Sequence, residues 1–189
     1  MLIMGLALAM VPVVIYPILK KHNQVLALGY VVFRGALETV TYIAGTISLL
    51  LIVALSQAAV QPASDASGFQ ALGALLLKAK EISTTSTEIV FPLGALMFYY
   101  VLYQSNLIPR WISGWGLAAA ILFLATGLLD MFGLIGQMSA IQNLLALPIA
   151  VQEMVMALWL IVKGFNRSAI ASGSAATKVG KGLLSASQI

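Results

Sequence analysis

The residues best suited to chemistry in this chain are ionisable side chains that lie inside long apolar stretches. Arg34 and Glu38 share one stretch, Glu88 lies in a second and Glu153 in a third. A charged side chain in the hydrocarbon of a bilayer costs several kcal/mol, so such residues face a packed bundle or a wet cavity and usually pair with one another. These four residues are therefore the candidates for a buried polar centre.

Arg34 and Glu38 are four residues apart, which places both side chains on one face of a helix. At 1.5 Å per residue, Glu38 lies about 13 Å from Gly29, and Glu153 about 15 Å from Lys163, at the same side of the bilayer. The two carboxylates are therefore expected at similar depth. Two interpretations stay open for Arg34, Glu38 and Glu153. They form either a structural ion-pair network or a ligand-binding site near the midplane in which one carboxylate changes protonation.

A secondary polar site is predicted at Glu88, Thr84 and Thr87. Pro92 follows Glu88 by four residues and cannot donate a hydrogen bond to its backbone carbonyl. Five consecutive hydroxyl residues, 83–87, precede the carboxylate. Such a group could bind a cation or line an outward-facing vestibule. Equally, Glu88 could lie in water at the outer interface while the hydroxyls satisfy the backbone.

One face of the last apolar stretch combines small residues with Glu153. Small residues let helices approach closely, and an embedded polar group can bond across the contact. We expect this face to point into the bundle, with Gln152 directed about 100° away toward a second neighbour or an oligomer contact. Besides Glu153, the face comprises Asn143, Ala146, Ala150 and Ala157.

Several chemistries have no sequence support. The chain contains no cysteine, which excludes disulfides and thiolate chemistry, and its one histidine, His22, lies in a basic loop. Neither phosphate-binding loops nor dinucleotide, zinc-protease or hydrolase motifs occur. No catalytic residue, metal site or cofactor is therefore predicted. The net charge of +4 is small and lies in loops and tail, so no nucleic-acid partner is predicted either.

The elements that position these residues follow from composition, which is 61% hydrophobic and only 8% charged. A soluble domain carries about 25% charged residues, so the solvent for this chain is the lipid bilayer. The stretches are apolar all round rather than alternating, which favours helices over a barrel. We predict an all-α, polytopic transmembrane bundle over residues 1–163. Its five spans are predicted at about 2–19, 29–55, 83–103, 112–136 and 143–162.

Lysine and arginine concentrate in the first and third loops and in the tail, which lie on one side of a five-span arrangement. The positive-inside rule then places the N-terminus outside and the C-terminus in the cytoplasm. Residues 57–82 are predicted as an outer loop, in which 69–82 form a surface helix or extend the third span. Residues 164–189 are predicted to be a flexible cytoplasmic tail.

Three ordered blocks resemble a bacterial family of multi-pass membrane proteins catalogued only as a domain of unknown function. They are the run 17–23 with the Arg-x-x-x-Glu helix after it, the run 107–116, and the closing run 147–166. The resemblance implies an integral protein of the bacterial cytoplasmic (inner) membrane and brings no activity or cofactor. It puts Arg34, Glu38 and Glu153 at family-motif positions and leaves Glu88 outside them. Members usually carry a further hydrophobic segment before the first one here, so the resemblance implies a shortened member, a late start or an incomplete sequence. A missing helix would leave one flank of the bundle open, and that flank could receive another subunit or a second copy.

Three functions are compatible with these patterns. A protein that binds or transports a small molecule, lipid or ion needs a cavity that reaches the buried charges. A structural or accessory subunit of a larger membrane complex needs a closed network of paired charges and an apolar contact surface. An intramembrane acid–base enzyme needs a carboxylate that a substrate can reach. The first is favoured narrowly and an enzyme least, with the lipid bilayer and a homo-oligomer or other membrane subunits as expected partners.

Overall fold

The structure is a computed structural model that describes residues 2–59, 66–137 and 139–171. Across these residues the chain forms helices and contains no strand, which confirms the predicted all-α class. The longer helices are α1 (Leu2–Leu19), α2 (Gln24–Tyr30), a π-helix (Val31–Leu37), α3 (Glu38–Ala59), α4 (Ala66–Ser105), α5 (Arg110–Met131) and α6 (Ala140–Val162). Residues 167–171 form a further short helical turn.

Four helical stretches of the described chain are long and apolar enough to cross a membrane, and α1 is a shorter apolar helix. The four are Gln24–Ala58, Ser67–Ser105, Arg110–Met131 and Ala140–Val162. Large apolar side chains cover the outside of the bundle, among them Ile47, Ile121 and Leu158. Since a water-facing surface would expose charges there instead, these residues contact lipid. The protein is a polytopic helical membrane protein with four to five spans.

Two helix boundaries bear on the predicted spans. Residues 69–82 extend the helix of the third span, one of the two alternatives stated for them, because α4 runs without a break from Ala66 to Ser105. Helix α5 ends at Met131, five residues before the predicted end of the fourth span. The helix stops because Gly133 adopts a left-handed φ of 69° and its N–H bonds to the carbonyl of Asp130 at 2.8 Å.

Successive long helices pack side by side, α3 on α4, α4 on α5, and α5 on α6. Glycines permit the closest approaches. A Cβ atom at Gly127 would lie 2.7 Å from the backbone oxygen of Glu88, and one at Gly116 would lie 2.6 Å from the ring of Tyr99. Helices α4 and α5 can therefore contact backbone to backbone.

An apolar core closes one end of the bundle. At the closed end, Tyr30 and Phe98 stack with ring centroids 4.6 Å apart, and Leu19, Leu102 and Ile112 are fully buried around them. Helix α1 packs on the π-helix and α3, while α6 packs chiefly on α5. The two outer helices therefore stand on either side of a space inside the bundle.

Candidate functional site

A cavity of about 580 Å³ occupies the space between the outer helices. Residues of α1, the π-helix, α3, α4, α5 and α6 line it, so every spanning element contributes to its wall. All six residues of the two predicted polar sites are among the lining residues, namely Arg34, Glu38, Thr84, Thr87, Glu88 and Glu153. The two sites that the sequence separates are therefore parts of one cavity.

Arg34 joins the two carboxylates that were predicted to lie at the same depth. Its Nη1 lies 3.2 Å from Oε2 of Glu38, and its Nη2 lies 3.0 Å from Oε1 of Glu153. The guanidinium also stacks 4.1 Å from the ring centre of Phe91. Glu38 is only 2% exposed, whereas the side chain of Glu153 is 37% exposed. One cation therefore bridges α3 and α6 at the edge of the cavity.

Arg34 lies in the π-helix Val31–Leu37, a feature that no sequence pattern indicated. The wider turn is accommodated by close packing on both sides. A Cβ at Gly35 would lie 3.6 Å from the carbonyl oxygen of Ala9, and one at Gly94 would lie 3.1 Å from the Arg34 nitrogen. Short π-helical segments inside α-helices are rare and frequently occur at functional sites. The segment begins one turn before the ion pair and positions it.

Glu88 is 8% exposed and lies within the bundle rather than in water at an interface. The amide Nε2 of Gln142 donates a hydrogen bond of 2.6 Å to its Oε1. Its Oε2 is buried and has no hydrogen-bond partner in the described part of the chain. Unlike Glu38, this carboxylate has no ion-pair partner among the described residues, although it lines the same cavity.

The hydroxyls of the secondary site mostly serve their own helix. Thr84 donates to the carbonyl of Lys80 at 3.0 Å, and Thr87 donates to the carbonyl of Ser83 at 2.9 Å. The Thr87 hydroxyl also lies 2.7 Å from that of Thr41, which links α4 to α3. The backbone carbonyl of Glu88, which Pro92 leaves without its helical donor, faces α5 at Gly127. That carbonyl therefore belongs to a helix contact and does not add a ligand to the cavity.

The predicted inward face of α6 reaches the cavity through Ala146, Ala150 and Glu153, whereas Asn143 and Ala157 do not line it. Asn143, Ala150 and Ala157 are exposed, while Gln152 is fully buried. The hydroxyl of Tyr99 donates to Oε1 of Gln152 at 2.6 Å, and Nε2 of Gln152 donates to the carbonyl of Ile112 at 3.1 Å. The amide can enter the core because both of its polar ends find a partner there. Glu153 stays at the edge, where its side chain reaches Arg34.

The cavity lining contains more acidic than basic side chains. Three carboxylates line it, on Glu38, Glu88 and Glu153, together with the two cationic side chains of Arg34 and Lys80. In the described ranges, no group of three or more His, Cys, Asp or Glu side chains could hold a metal ion. The arrangement can accommodate a polar or cationic group among carboxylates while apolar walls surround the remainder of a ligand.

The helices and the buried charges define the class of protein as a multi-pass helical membrane protein with an internal polar cavity. Residues 1–164 match the model of a family described as a domain of unknown function, DUF4386, and the chain belongs to that family. No curated protein matches the chain, and no solved structure matches it. The sequence resemblance to a membrane family of unknown function is thus confirmed.

Proposed function

We propose that this protein binds or transports a small amphipathic molecule or lipid in the cavity inside its helical bundle. The observation that carries the proposal is the cavity of about 580 Å³ that reaches all four buried ionisable residues, Arg34, Glu38, Glu88 and Glu153. Ligand pockets in proteins commonly occupy about 300–1,000 Å³. A purely structural ion-pair network has no need of such a space.

The cavity is elongated, which favours a ligand with a chain-like body. Its lining runs from Glu38 to Leu49 on α3 and from Lys80 to Phe91 on α4. Each of these walls corresponds to about 16 Å along a helix axis at 1.5 Å per residue. Apolar side chains cover much of the wall, including Ile149 on α6. An amphipathic molecule matches apolar walls that carry polar groups at a few positions.

Exposure around the cavity supports entry from the side, out of the lipid. Met4 on α1 and Ala150 on α6 line the cavity and are exposed. Glu153, on the same edge, keeps 37% of its side-chain surface exposed. Because α6 packs chiefly on α5, the gap between α6 and α1 offers a path by which a membrane-dissolved ligand reaches the buried charges.

Photolabelling of the purified protein in lipid nanodiscs tests the binding function. The probe is a long-chain alkanol that carries a photoreactive diazirine, and mass spectrometry locates the labelled peptides. We expect saturable labelling of peptides from α3, α4 and α6. Ala146→Trp, which fills the cavity wall, should reduce it at least tenfold. Ala125→Trp, on an exposed position of α5 outside the cavity, is the matched control and should leave labelling unchanged.

Two results would instead favour a structural or accessory subunit. One is labelling that never saturates and does not respond to Ala146→Trp. The other is a pair of variants, Glu38→Gln and Glu153→Gln, that lower the melting temperature without any change in labelling.

We also propose the orientation that the basic loops predict, with the N-terminus outside and the C-terminus in the cytoplasm of a bacterial inner membrane. Burial, followed by the charge of Lys21, lowers the pKa of His22, so Lys20 and Lys21 carry the positive charge of that loop. Because the chain contains no cysteine, single cysteines at Gln104 and Gly136 can be labelled selectively in intact cells. An impermeant maleimide should react with Gly136→Cys only, and reaction with Gln104→Cys alone would reverse the orientation.

A second copy of the chain, or another membrane subunit, is the partner we propose besides lipid. Ala157, an exposed small residue on α6 that does not line the cavity, would permit a close helix contact there. Light scattering of the detergent-solubilised protein, corrected for bound detergent, should give at least twice the monomer mass. A monomer mass together with unchanged probe binding would remove the oligomer from the proposal and leave the cavity function intact.

A further inference from the structure

One oxygen of the Glu88 carboxylate lacks a hydrogen-bond donor inside the cavity. Only 8% of this residue is exposed, and Gln142 satisfies one of its oxygens at 2.6 Å. The other oxygen, Oε2, is buried without a hydrogen-bond partner in the described part of the chain. A buried acceptor that lacks a donor is costly. The cavity therefore offers an acceptor that a ligand with a donor would satisfy.

Three of the other donors that line the cavity are already used elsewhere, on Arg34, Thr84 and Thr87. Arg34 divides its guanidinium between Glu38 and Glu153. The hydroxyls of Thr84 and Thr87 donate to backbone carbonyls of α4. Lys80 lies eight residues before Glu88 on the same helix, about 12 Å along its axis.

The pairing of the cavity charges favours a cationic ligand. Arg34 is already paired with Glu38 and Glu153, whereas Oε2 of Glu88 is buried without a hydrogen-bond partner among the described residues. An anionic head group has no donor to offer this oxygen, whereas a protonated amine supplies both a donor and the opposite charge. The walls near Glu88 are apolar at Ala146, Ile149 and Phe91. The ligand that fits this part of the cavity therefore has a single cationic donor attached to an apolar body.

We propose that the ligand is an amphiphilic amine, with its protonated amino group donating to Oε2 of Glu88 and its apolar chain lying along Ala146 and Ile149. This assignment rests on the proposed binding function and names the chemical class of its ligand. A primary ammonium of this kind occurs both on free long-chain amines and on the head group of phosphatidylethanolamine.

Competition against the photoreactive alkanol tests the assignment in nanodiscs of phosphatidylcholine, which carries no net charge. Dodecylamine, dodecanol and dodecanoate share one chain length and differ in the head group. We expect dodecylamine to compete at least tenfold better than dodecanol, and dodecanoate to compete worst. Glu88→Gln should abolish the preference for the amine and change competition by dodecanol less than twofold. Glu81→Gln, which neutralises an exposed carboxylate that lies outside the cavity and pairs with Lys78 at 3.0 Å, should keep the preference.

The possible outcomes distinguish a failure of the amine assignment from a failure of the proposed binding function. Equal competition by amine and alcohol, with labelling still blocked by Ala146→Trp, overturns the amine and leaves the binding cavity standing. A preference that survives Glu88→Gln but disappears in Glu153→Gln overturns the assignment to Glu88. Labelling that neither saturates nor responds to Ala146→Trp removes both proposals. If the amine is preferred, replacing part of the phosphatidylcholine by phosphatidylethanolamine distinguishes the source, because only a lipid ligand would then suppress labelling.

Discussion

Glu38 and Glu88 are buried carboxylates on neighbouring helices, they line one cavity, and they are compensated in different ways. Glu38 lies against the guanidinium of Arg34 at 3.2 Å, and Arg34 is shared with Glu153 at 3.0 Å. Glu88 receives one neutral amide donor, from Gln142, and its second oxygen has no partner among the described residues. Glu38 is therefore compensated by an ion pair, whereas Glu88 has a hydrogen-bond donor at only one of its two oxygens.

The difference indicates a division of roles within the cavity. A buried charge whose partner is built into the protein links helices, here α3 to α6 through Arg34. A buried charge without such a partner lowers stability, and proteins retain such groups chiefly where function requires them. We infer that Glu38 serves mainly the architecture of the cavity and that Glu88 is the group a ligand addresses.

Arg34→Met should have the largest effect on stability. It leaves the carboxylates of Glu38 and Glu153 without their shared cation, and breaking a buried ion pair from one side costs about 3–5 kcal/mol. The lower end of that range applies, because the side chain of Glu153 is 37% exposed and water can solvate it. Denaturant unfolding in a fixed detergent measures the free energy of unfolding.

Arg110→Met is the matched control for this change, since Arg110 is exposed and its guanidinium lies 5.8 Å from the ring centre of Tyr103. It should cost less than about 1 kcal/mol, as exposed charges contribute little. Combining Arg34→Met with Glu38→Gln should recover part of the loss, because the buried carboxylate is then neutral. Additive losses in the double variant would mean that the two residues do not act as a pair.

The fold was largely predictable from the sequence because the bilayer leaves few choices. Long apolar stretches must form helices there, and four of the predicted spans coincide with long apolar helices. The end of α5 depends on the conformation of Gly133, and the π-helix around Arg34 depends on packing against α1 and α4. Hydrophobic periodicity indicates neither the end of α5 nor the π-helix, since both depend on backbone conformation and tertiary packing.

The polar site was predictable in its members and not in their arrangement. Helix spacing places Arg34 and Glu38 together, and equal depth places Glu153 beside them. The sequence offered no means of joining Glu88 to that group, because its partner Gln142 lies 54 residues away. It also did not predict that Gln152 is the fully buried polar residue of α6, since that burial depends on the Tyr99 hydroxyl that meets the amide at 2.6 Å.

Glu38→Gln should have an intermediate effect. The amide keeps the shape of the side chain but gives up a charged hydrogen bond to Arg34, and such bonds contribute about 1.5–3 kcal/mol. The free energy of unfolding should fall by about that amount, while Arg34 still pairs with Glu153. A change below about 0.5 kcal/mol would show that the Arg34–Glu38 pair adds nothing to stability and would weaken the contrast with Glu88.

Glu88→Gln is the same substitution on the other helix, and it should have the smallest effect on stability. It removes a buried charge whose only described partner is a neutral amide, and the desolvation of such a charge costs several kcal/mol. The new amide group is itself buried without a full set of partners, which costs about 1–3 kcal/mol on mutational scales. These terms oppose each other, so the free energy of unfolding should stay within about 1 kcal/mol of the wild type or rise.

The free energies of unfolding of Glu38→Gln and Glu88→Gln, measured side by side, therefore test whether the two carboxylates have different roles. A loss at Glu88 as large as the loss at Glu38 would mean that the Glu88 carboxylate is compensated as well as its neighbour and is equally architectural. An unchanged or higher stability, together with loss of the amine preference, would separate fold from function at this one position. Such a result is expected of a group that a protein retains for its ligand, because the ligand supplies in the complex the donor that the bundle itself does not provide.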